Sequence, residues 1–250
     1  MDSPASHDTG TTFSAERLDV IARREHDHFW HEPRRRLLLE TLAEADVKSH
    51  GPLLDVGCGT GALVHELSRQ GYDAYGVDPW VGARNLPGEK FRQGTINHLP
   101  FPDATFASVC AFDVIEHVEE AEAFLEISRV LRPGGRLFVS VPAHAFLWSP
   151  RDDRARHRRR YSRASLGRSL AKGGYRVVRL FGFQFLLLPA MAIHRIAARQ
   201  KDRLEAIDHE DEPASAMNRW LRRVNLAEIW LGRFWRPPTG TSLIAVARRS

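Results

Sequence analysis

The sequence predicts an α/β fold with a doubly wound parallel sheet, and three observations support that prediction. Short apolar runs of strand length alternate with segments whose apolar residues recur at helical spacing. One such run, Pro52–Val56, leads directly into a glycine-rich turn, as buried parallel strands commonly do. The chain has 250 residues, 43% of them hydrophobic, which is enough for the packed core of one domain.

The first part of the chain alternates helices and strands. Leu63, Val64 and Leu67 share one face of a helix, and the Arg132-Pro133-Gly134-Gly135 stretch stops a second amphipathic helix. Apolar runs between such helices read as buried strands. The expected elements, in order, are helix Arg34–Asp46, strand Pro52–Val56, helix Ala62–Gln70, strand Asp73–Val77, strand Phe106–Phe112, helix Glu119–Leu131 and strand Arg136–Val141.

The last part of the chain departs from this alternation. A helix over Ser162–Gly173 begins with a serine cap and ends with glycine, and strands follow at Tyr175–Phe181 and Ser242–Ala247. About sixty residues separate those two strands, far more than an ordinary connection. Within them the pattern predicts an amphipathic helix over Met217–Trp235.

These boundaries give the expected domain organisation. Residues 1–27 are expected to form a flexible arm, and residues 28–250 one domain. A cap helix lies within residues 28–50, and a helical insertion occupies residues 182–238 before the last strand.

The glycine turn, Asp55-Val-Gly57-Cys-Gly59-Thr-Gly61, predicts a ligand site at the carboxyl end of a strand. Glycines at alternate positions let the backbone turn sharply and approach a ligand closely. Asp78 ends the next strand, where a carboxylate accepts the hydroxyls of a ribose. A nicotinamide dehydrogenase is the alternative, because the turn also satisfies the loose dinucleotide pattern. Asp55 favours a cationic ligand instead, since an anion there would repel a pyrophosphate.

Several motifs, in this order, resemble class I S-adenosylmethionine-dependent methyltransferases of the type 11/12-like family. They are LDVGCGTG at the turn, GVDP at Asp78, FRQGTINHLPFPD from Phe91, FDVIEHV from Phe112 and LRPGGRLFVSV from Leu131. The resemblance covers about residues 28–248. It implies a Rossmann-like sheet of seven strands whose last strand is antiparallel, and S-adenosyl-L-methionine as the cofactor.

The resemblance also implies which residues bind the cofactor. Asp55 and the glycines surround its methionine part, Asp78 binds the ribose, and Thr95 stands where many relatives carry an aspartate that accepts from the adenine amino group. The full set implied is Asp55, Gly57, Cys58, Gly59, Gly61, Asp78, Pro79, Trp80, Gly94, Thr95, Ile96, Phe112 and Asp113.

A second stretch, Val141–Tyr161, is the expected acceptor region because it follows the fifth strand directly. It resembles a subgroup with Val-Pro-Ala, Leu-Trp-Ser and His-x-Arg-Arg-Tyr segments, preceded by an early His-x-Trp. His157 is expected to be the general base, with Asp152 fixing its tautomer. His117 is a further catalytic candidate, and an equal alternative gives it a capping or cofactor-side role. The expected acceptor-binding residues are Trp30, Arg34, His144, Trp148, Arg159, Arg160 and Tyr161.

Charge and cysteine content narrow the classes of partner. The net charge of +5 is matched by the balance of residues 151–163 alone, so a whole-surface nucleic-acid binder is not expected. Cys58 and Cys110 have no metal-ligand spacing, so no metal is expected, and a reducing, cytoplasmic setting fits.

The expected acceptor is a small molecule or a glycan- or lipid-linked group, methylated at oxygen, with nitrogen, as in an amino sugar, as the alternative. Peripheral membrane contact through residues 182–238 is a further hypothesis, weighed against a buried lid or a dimer contact.

Overall fold

The computed structural model describes residues 15–81, 88–198 and 214–250. Their strands form one seven-stranded sheet in the order β3-β2-β1-β4-β5-β7-β6. All neighbouring pairs are parallel except those that β7 makes with β5 and β6. The strands are β1 Leu53–Val56, β2 Ala74–Asp78, β3 Phe91–Gln93, β4 Phe106–Phe112, β5 Leu131–Pro142, β6 Tyr175–Phe183 and β7 Ser242–Arg249. The expected fold class is confirmed.

Helices cover both faces of the sheet. Phe124 of α4 and Leu166 of α6 pack in the core on one face, and Leu42 of α2 and Leu67 of α3 pack on the other. Both faces of the central strands are therefore apolar, which explains their continuous hydrophobic runs. The helices are α1 Ala15–Arg24, α2 His31–Glu44, α3 Ala62–Arg69, α4 Glu120–Val130, α5 Pro150–Arg154, α6 Arg163–Lys172, α7 Leu188–Ala198 and α8 Ser215–Leu231.

Strand order reverses between β1 and β4, and this reversal opens a crevice. The chain leaves β1 towards β2 on one side and reaches β4 on the other side. Ligands of doubly wound sheets bind at such a point, beyond the carboxyl ends of the strands. Asp55 lies near the end of β1, Asp78 ends β2 and Asp113 follows β4, so three carboxylates stand at this edge.

Two elements differ from the sequence-based expectation. β5 begins at Leu131 rather than Arg136, because Leu131 already pairs with Phe106 before a register shift. Residues 15–24 form α1, so the expectation of a flexible arm over 1–27 is corrected there. Leu18 is buried, which gives this helix an anchored apolar side. Residues 1–14 lie outside the described part of the chain.

The insertion between β6 and β7 supplies α7 and α8. The helix expected over Met217–Trp235 is found as α8. The acidic stretch Asp208–Glu212 belongs to residues 199–213, which the structure does not describe. Among the described helices, none combines the length and the apolar character needed to cross a membrane.

Candidate active site

The glycine turn after β1 brings backbone to the edge of the crevice. Gly57, Gly59 and Gly61 all have positive φ angles, of 73°, 52° and 78°. A Cβ added at Gly57 would lie 2.6 Å from Cγ2 of Val114, so a side chain has no room there. The turn is further fixed by Asp78, whose Oδ2 accepts a hydrogen bond from the Gly59 amide at 3.0 Å. Glycine is required here for conformation and for space.

A cavity of about 320 Å³ opens above this turn, and we call it the first cavity. Its volume lies within the range of small-molecule sites. The expected cofactor residues line it, with one exception: Gly61 does not reach the cavity and instead caps the start of α3. Those that line it are Asp55, Gly57, Cys58, Gly59, Asp78, Pro79, Trp80, Gly94, Thr95, Ile96, Phe112 and Asp113.

Asp55 is the main electrostatic feature of the first cavity. Its side chain is buried, and burial raises its pKa from the usual 3.8 to about 7. Asp78 adds to the rise, and the Arg34 guanidinium opposes it. A ligand with a positive charge would favour the ionised form of this carboxyl, whereas a pyrophosphate would oppose it. The cavity therefore suits a cationic ligand.

Other polar groups of the first cavity are available to a ligand. The Trp80 indole Nε1 is buried and has no hydrogen-bond partner within the described residues, and a buried donor of this kind favours an incoming acceptor. Thr95 is exposed at the cavity wall. Burial raises the pKa of the Cys58 thiol, which therefore stays neutral and serves as lining.

Arg34, expected to bind the acceptor, lies at the wall of the first cavity instead. Its Nη2 donates to Asp113 Oδ2 at 2.5 Å and to the Ser140 hydroxyl at 2.5 Å. Its guanidinium also lies 4.8 Å from the centroid of the Trp30 ring. Arg34 thus fixes Asp113 and Trp30 rather than standing open to an acceptor.

The N-terminal helix α1 lines part of the first cavity, a role that the sequence did not predict. Leu18 and Ile21 of α1 line it, together with Glu25 just beyond the helix. The Thr60 hydroxyl in the glycine turn donates to Glu25 Oε2 at 2.8 Å, tying this segment to the turn. The three-residue spacing of Leu18 and Ile21 was the available signal, since it places both side chains on one helical face.

A second cavity of about 170 Å³ adjoins the first. Five residues line both cavities and so form a shared wall. This wall consists of Ile21, Trp30, His31, Asp113 and His117. The remaining wall comes from distant segments, including Gln184 after β6, Met191 and Arg195 of α7, and Ser242 of β7. Because β7 is antiparallel, its first residue stands at the same edge as the end of β5.

Asp152 is the buried centre of the loop that lines the second cavity. Its carboxylate accepts from His157 Nδ1 at 2.7 Å, from Arg160 Nε at 2.7 Å and from the Ser149 amide at 2.9 Å. Burial alone would raise the pKa of Asp152, but these donors outweigh it and hold the pKa well below its usual range. The expected Asp152–His157 contact is therefore present, with Asp152 ionised and His157 oriented through Nδ1.

A histidine cluster, composed of Glu116, His117 and His157, lies beside this pair. The Arg158 amide donates to the Glu116 carbonyl at 2.9 Å, which holds the loop against the turn after β4. The Glu116 carboxyl is fully buried, and burial raises its pKa. Burial lowers the pKa of His117 to about 4. The nitrogen and oxygen atoms of the cluster that could bind a metal lie within 4.8 Å of one another. Among the described residues, this is the group whose geometry could hold a metal ion.

Two other residues that were expected to bind the acceptor, Arg160 and Tyr161, form contacts within the protein instead. Arg160 lines the second cavity, but its side chain is nearly buried and pairs with Asp152. This pairing compensates the cost of burying the Asp152 carboxylate. Tyr161 is buried and donates to Glu120 Oε1 at 2.5 Å, so its ring is not presented for stacking.

Arg159, Trp148 and His144 line neither cavity. The Arg159 side chain lies near Glu119 and Glu120. The Trp148 indole donates to Asp153, and the His144 ring bonds the Thr239 hydroxyl. Their expected role in acceptor binding stays a prediction that neither cavity supports.

Comparison with known proteins finds a family that part of this chain matches. Residues 54–139 match the family model described as a methyltransferase domain. The chain is 36% identical over 107 residues to an uncharacterised methyltransferase of Mycobacterium tuberculosis, which covers 41% of each protein. It is 34% identical over 133 residues to a ubiquinone biosynthesis O-methyltransferase of Azorhizobium caulinodans, covering 49% of this chain and 47% of that protein. The chain thus spans about half or less of these relatives' length.

Solved structures agree on the fold. A phosphoethanolamine N-methyltransferase of Haemonchus contortus aligns with a TM-score of 0.59 at 12% identity, covering 96% of this chain and 58% of that one. An S-adenosylmethionine-dependent methyltransferase of Archaeoglobus fulgidus aligns with a TM-score of 0.51 at 18% identity, covering 86% and 94%. Residues 54–139 thus match a methyltransferase domain, and the sheet order and the glycine turn agree with that match.

Proposed function

We propose that this chain transfers a methyl group from S-adenosylmethionine to an oxygen of a small-molecule or glycan- or lipid-linked acceptor held in the second cavity. The observation that supports this proposal is the shared wall. A donor in the first cavity and an acceptor in the second would meet across Trp30, Asp113 and His117. Methyl transfer needs little beyond such positioning, because the barrier falls when donor and acceptor are aligned.

The first cavity fits the cofactor by charge and by shape. S-adenosylmethionine supplies a methyl group already activated by a sulfonium. Asp55 pairs with the positive charge of its methionine part, and the side-chain-free surface at Gly57 lets the ligand approach the backbone. Asp78 offers carboxylate oxygens towards the ribose, and Trp80 offers its buried Nε1.

The second cavity supplies a proton acceptor. Asp152 is ionised and holds His157 through Nδ1, which leaves Nε2 to take the proton of an acceptor hydroxyl. His117 stands in the shared wall, with its ring centroid 4.8 Å from that of His157. The similarity to ubiquinone biosynthesis O-methyltransferases supports oxygen as the methylated atom.

The cofactor is tested by calorimetry with S-adenosylhomocysteine and NADH. We expect binding of S-adenosylhomocysteine that is weakened in Asp55→Asn, with no binding of NADH. Tight NADH binding without S-adenosylhomocysteine binding would refute the proposal.

The acceptor is sought by incubating the chain with methyl-labelled cofactor and pools of hydroxylated metabolites and glycolipids. For the acceptor found, His157→Ala should lower turnover by roughly 100- to 10,000-fold with little change in cofactor affinity. His144→Ala is the matched control, because this imidazole lies outside both cavities. An equal loss in both variants would remove His157 from the proton-accepting role.

A further inference from the structure

Helix α8 buries two polar side chains and one apolar side chain, and it leaves several large apolar side chains on its outer side. Its buried residues are Asn225, Glu228 and Ile229. Asn225 Nδ2 donates to the Phe29 carbonyl at 2.8 Å. Glu228 accepts from two backbone amides just after β6, at 2.8 and 3.0 Å. These hydrogen bonds act together with Ile229 and Leu226, which pack on the core, so the exposed tryptophans are not needed to hold the helix in place.

The outer surface of α8 and of the turn after it is unusually aromatic. Three of the six tryptophans in the chain lie there, each more than half exposed. Phe234 is 79% exposed. We define the outer surface of α8 as Met217, Trp220, Trp230, Leu231, Phe234 and Trp235. Exposed apolar side chains grouped in this way mark a binding surface rather than ordinary scatter.

The exposed charged residues that α8 itself places beside this surface are arginines. Arg219 and Arg223 are exposed among the apolar residues, whereas Arg233, in the turn after α8, pairs with Glu40 of α2 at 3.6 Å. The only acidic residue between Ser215 and Trp235 is Glu228, and it faces inward. A partner for this surface must therefore combine an apolar layer with negative charge, which is the chemistry of an anionic lipid surface.

We propose that the outer surface of α8 docks on an anionic lipid bilayer. Tryptophan suits the boundary between lipid headgroups and acyl chains, where its ring is buried and its N–H stays near water. A second copy of the chain fits less well, because a two-fold contact would place the arginines of one copy against those of the other. The proposal is independent of methyl transfer, since it uses no residue of either cavity.

The test is co-sedimentation of the full chain with vesicles of phosphatidylcholine, alone or mixed with phosphatidylglycerol. We expect binding to the mixed vesicles that weakens as salt is raised. Trp230→Ser/Phe234→Ser/Trp235→Ser should lose most of this binding. Arg219→Gln/Arg223→Gln should weaken it by roughly 30-fold, about fivefold for each charge.

The matched control is Leu125→Ser on α4, whose side chain is 73% exposed and lies outside this surface. It should bind vesicles like the unchanged chain. Absence of binding to mixed vesicles would overturn the proposal, as would binding that the triple variant retains. Sedimentation velocity gives a further arm: a dimer that the triple variant dissociates, without vesicle binding, would assign the surface to self-association instead.

Discussion

Replacing Asp55 with asparagine tests the electrostatics of the first cavity, and we expect it to stabilise the cofactor-free protein at high pH. Burial raises the pKa of Asp55 from 3.8 to about 7, which corresponds to about 4 kcal/mol of unfavourable free energy for the ionised form. The folded chain holds the proton of Asp55 more tightly than the unfolded chain does. The protonated carboxyl therefore makes its full contribution to the free energy of unfolding below pH 3.8. That stability is lost as pH rises through about 7.

The assay is urea unfolding of the cofactor-free protein at several pH values. Asp55→Asn should match the unchanged chain near pH 4 and exceed its free energy of unfolding at pH 8, by up to about 4 kcal/mol. Asp73→Asn is the control, since this carboxyl is about half exposed and its loss should change little. The unchanged chain should bind S-adenosylmethionine more tightly as pH rises through 7. At pH 8, Asp55→Asn should bind it roughly 10- to 100-fold more weakly than the unchanged chain does.

Stability and binding should therefore change in opposite directions at this one position. If Asp55→Asn unfolds with the same pH dependence as the unchanged chain, the carboxyl is not held at high free energy. If cofactor affinity survives the substitution, Asp55 does not pair with the cationic part of the ligand. Either result would refute the reasoning.

Three further predictions concern the loop, the turn and the cluster. Asp152→Asn leaves two arginines without their buried partner and should lower the free energy of unfolding by about 3–5 kcal/mol in urea titrations. Gly57→Ala places a side chain at a positive φ and against Val114, so it should abolish cofactor binding measured by calorimetry. Adding Val114→Ala removes the clash but should restore only part of the binding, because the backbone cost of about 1–3 kcal/mol remains. Turnover should survive EDTA, because proton removal is assigned to His157; loss on chelation, reversed by zinc, would show that the histidine cluster acts through a metal.

The parts of the site that the sequence predicts are those encoded in short stretches. Asp55 lies in the same motif as the glycine turn, and Asp78 ends the next strand. Both could be placed at the site because ligands of such sheets bind at the carboxyl ends of the strands. Asp152 and His157 are five residues apart in one loop, and the structure brings them to 2.7 Å.

The parts that escaped prediction depend on packing between distant segments. Arg160 looked like an anion-binding side chain, but a buried carboxylate captured it, because an unpaired Asp152 would be costly. Tyr161 looked available for stacking, but its backbone bridge to Ala143 directs the ring into the core. The second cavity draws Gln184 and Arg195 from the insertion, whose position no local pattern specifies.

The antiparallel course of β7 determines which segments of the chain line the second cavity. By entering the sheet from the crevice edge, β7 lets the loop after β5 and the two ends of the insertion line one cavity. The family match ends at residue 139, before either segment begins. Under the proposed function, the matched region that supplies most of the donor site precedes the two segments that supply much of the second cavity. Exchanging residues 141–161 and 184–241 between relatives should transplant acceptor preference onto an unchanged donor site.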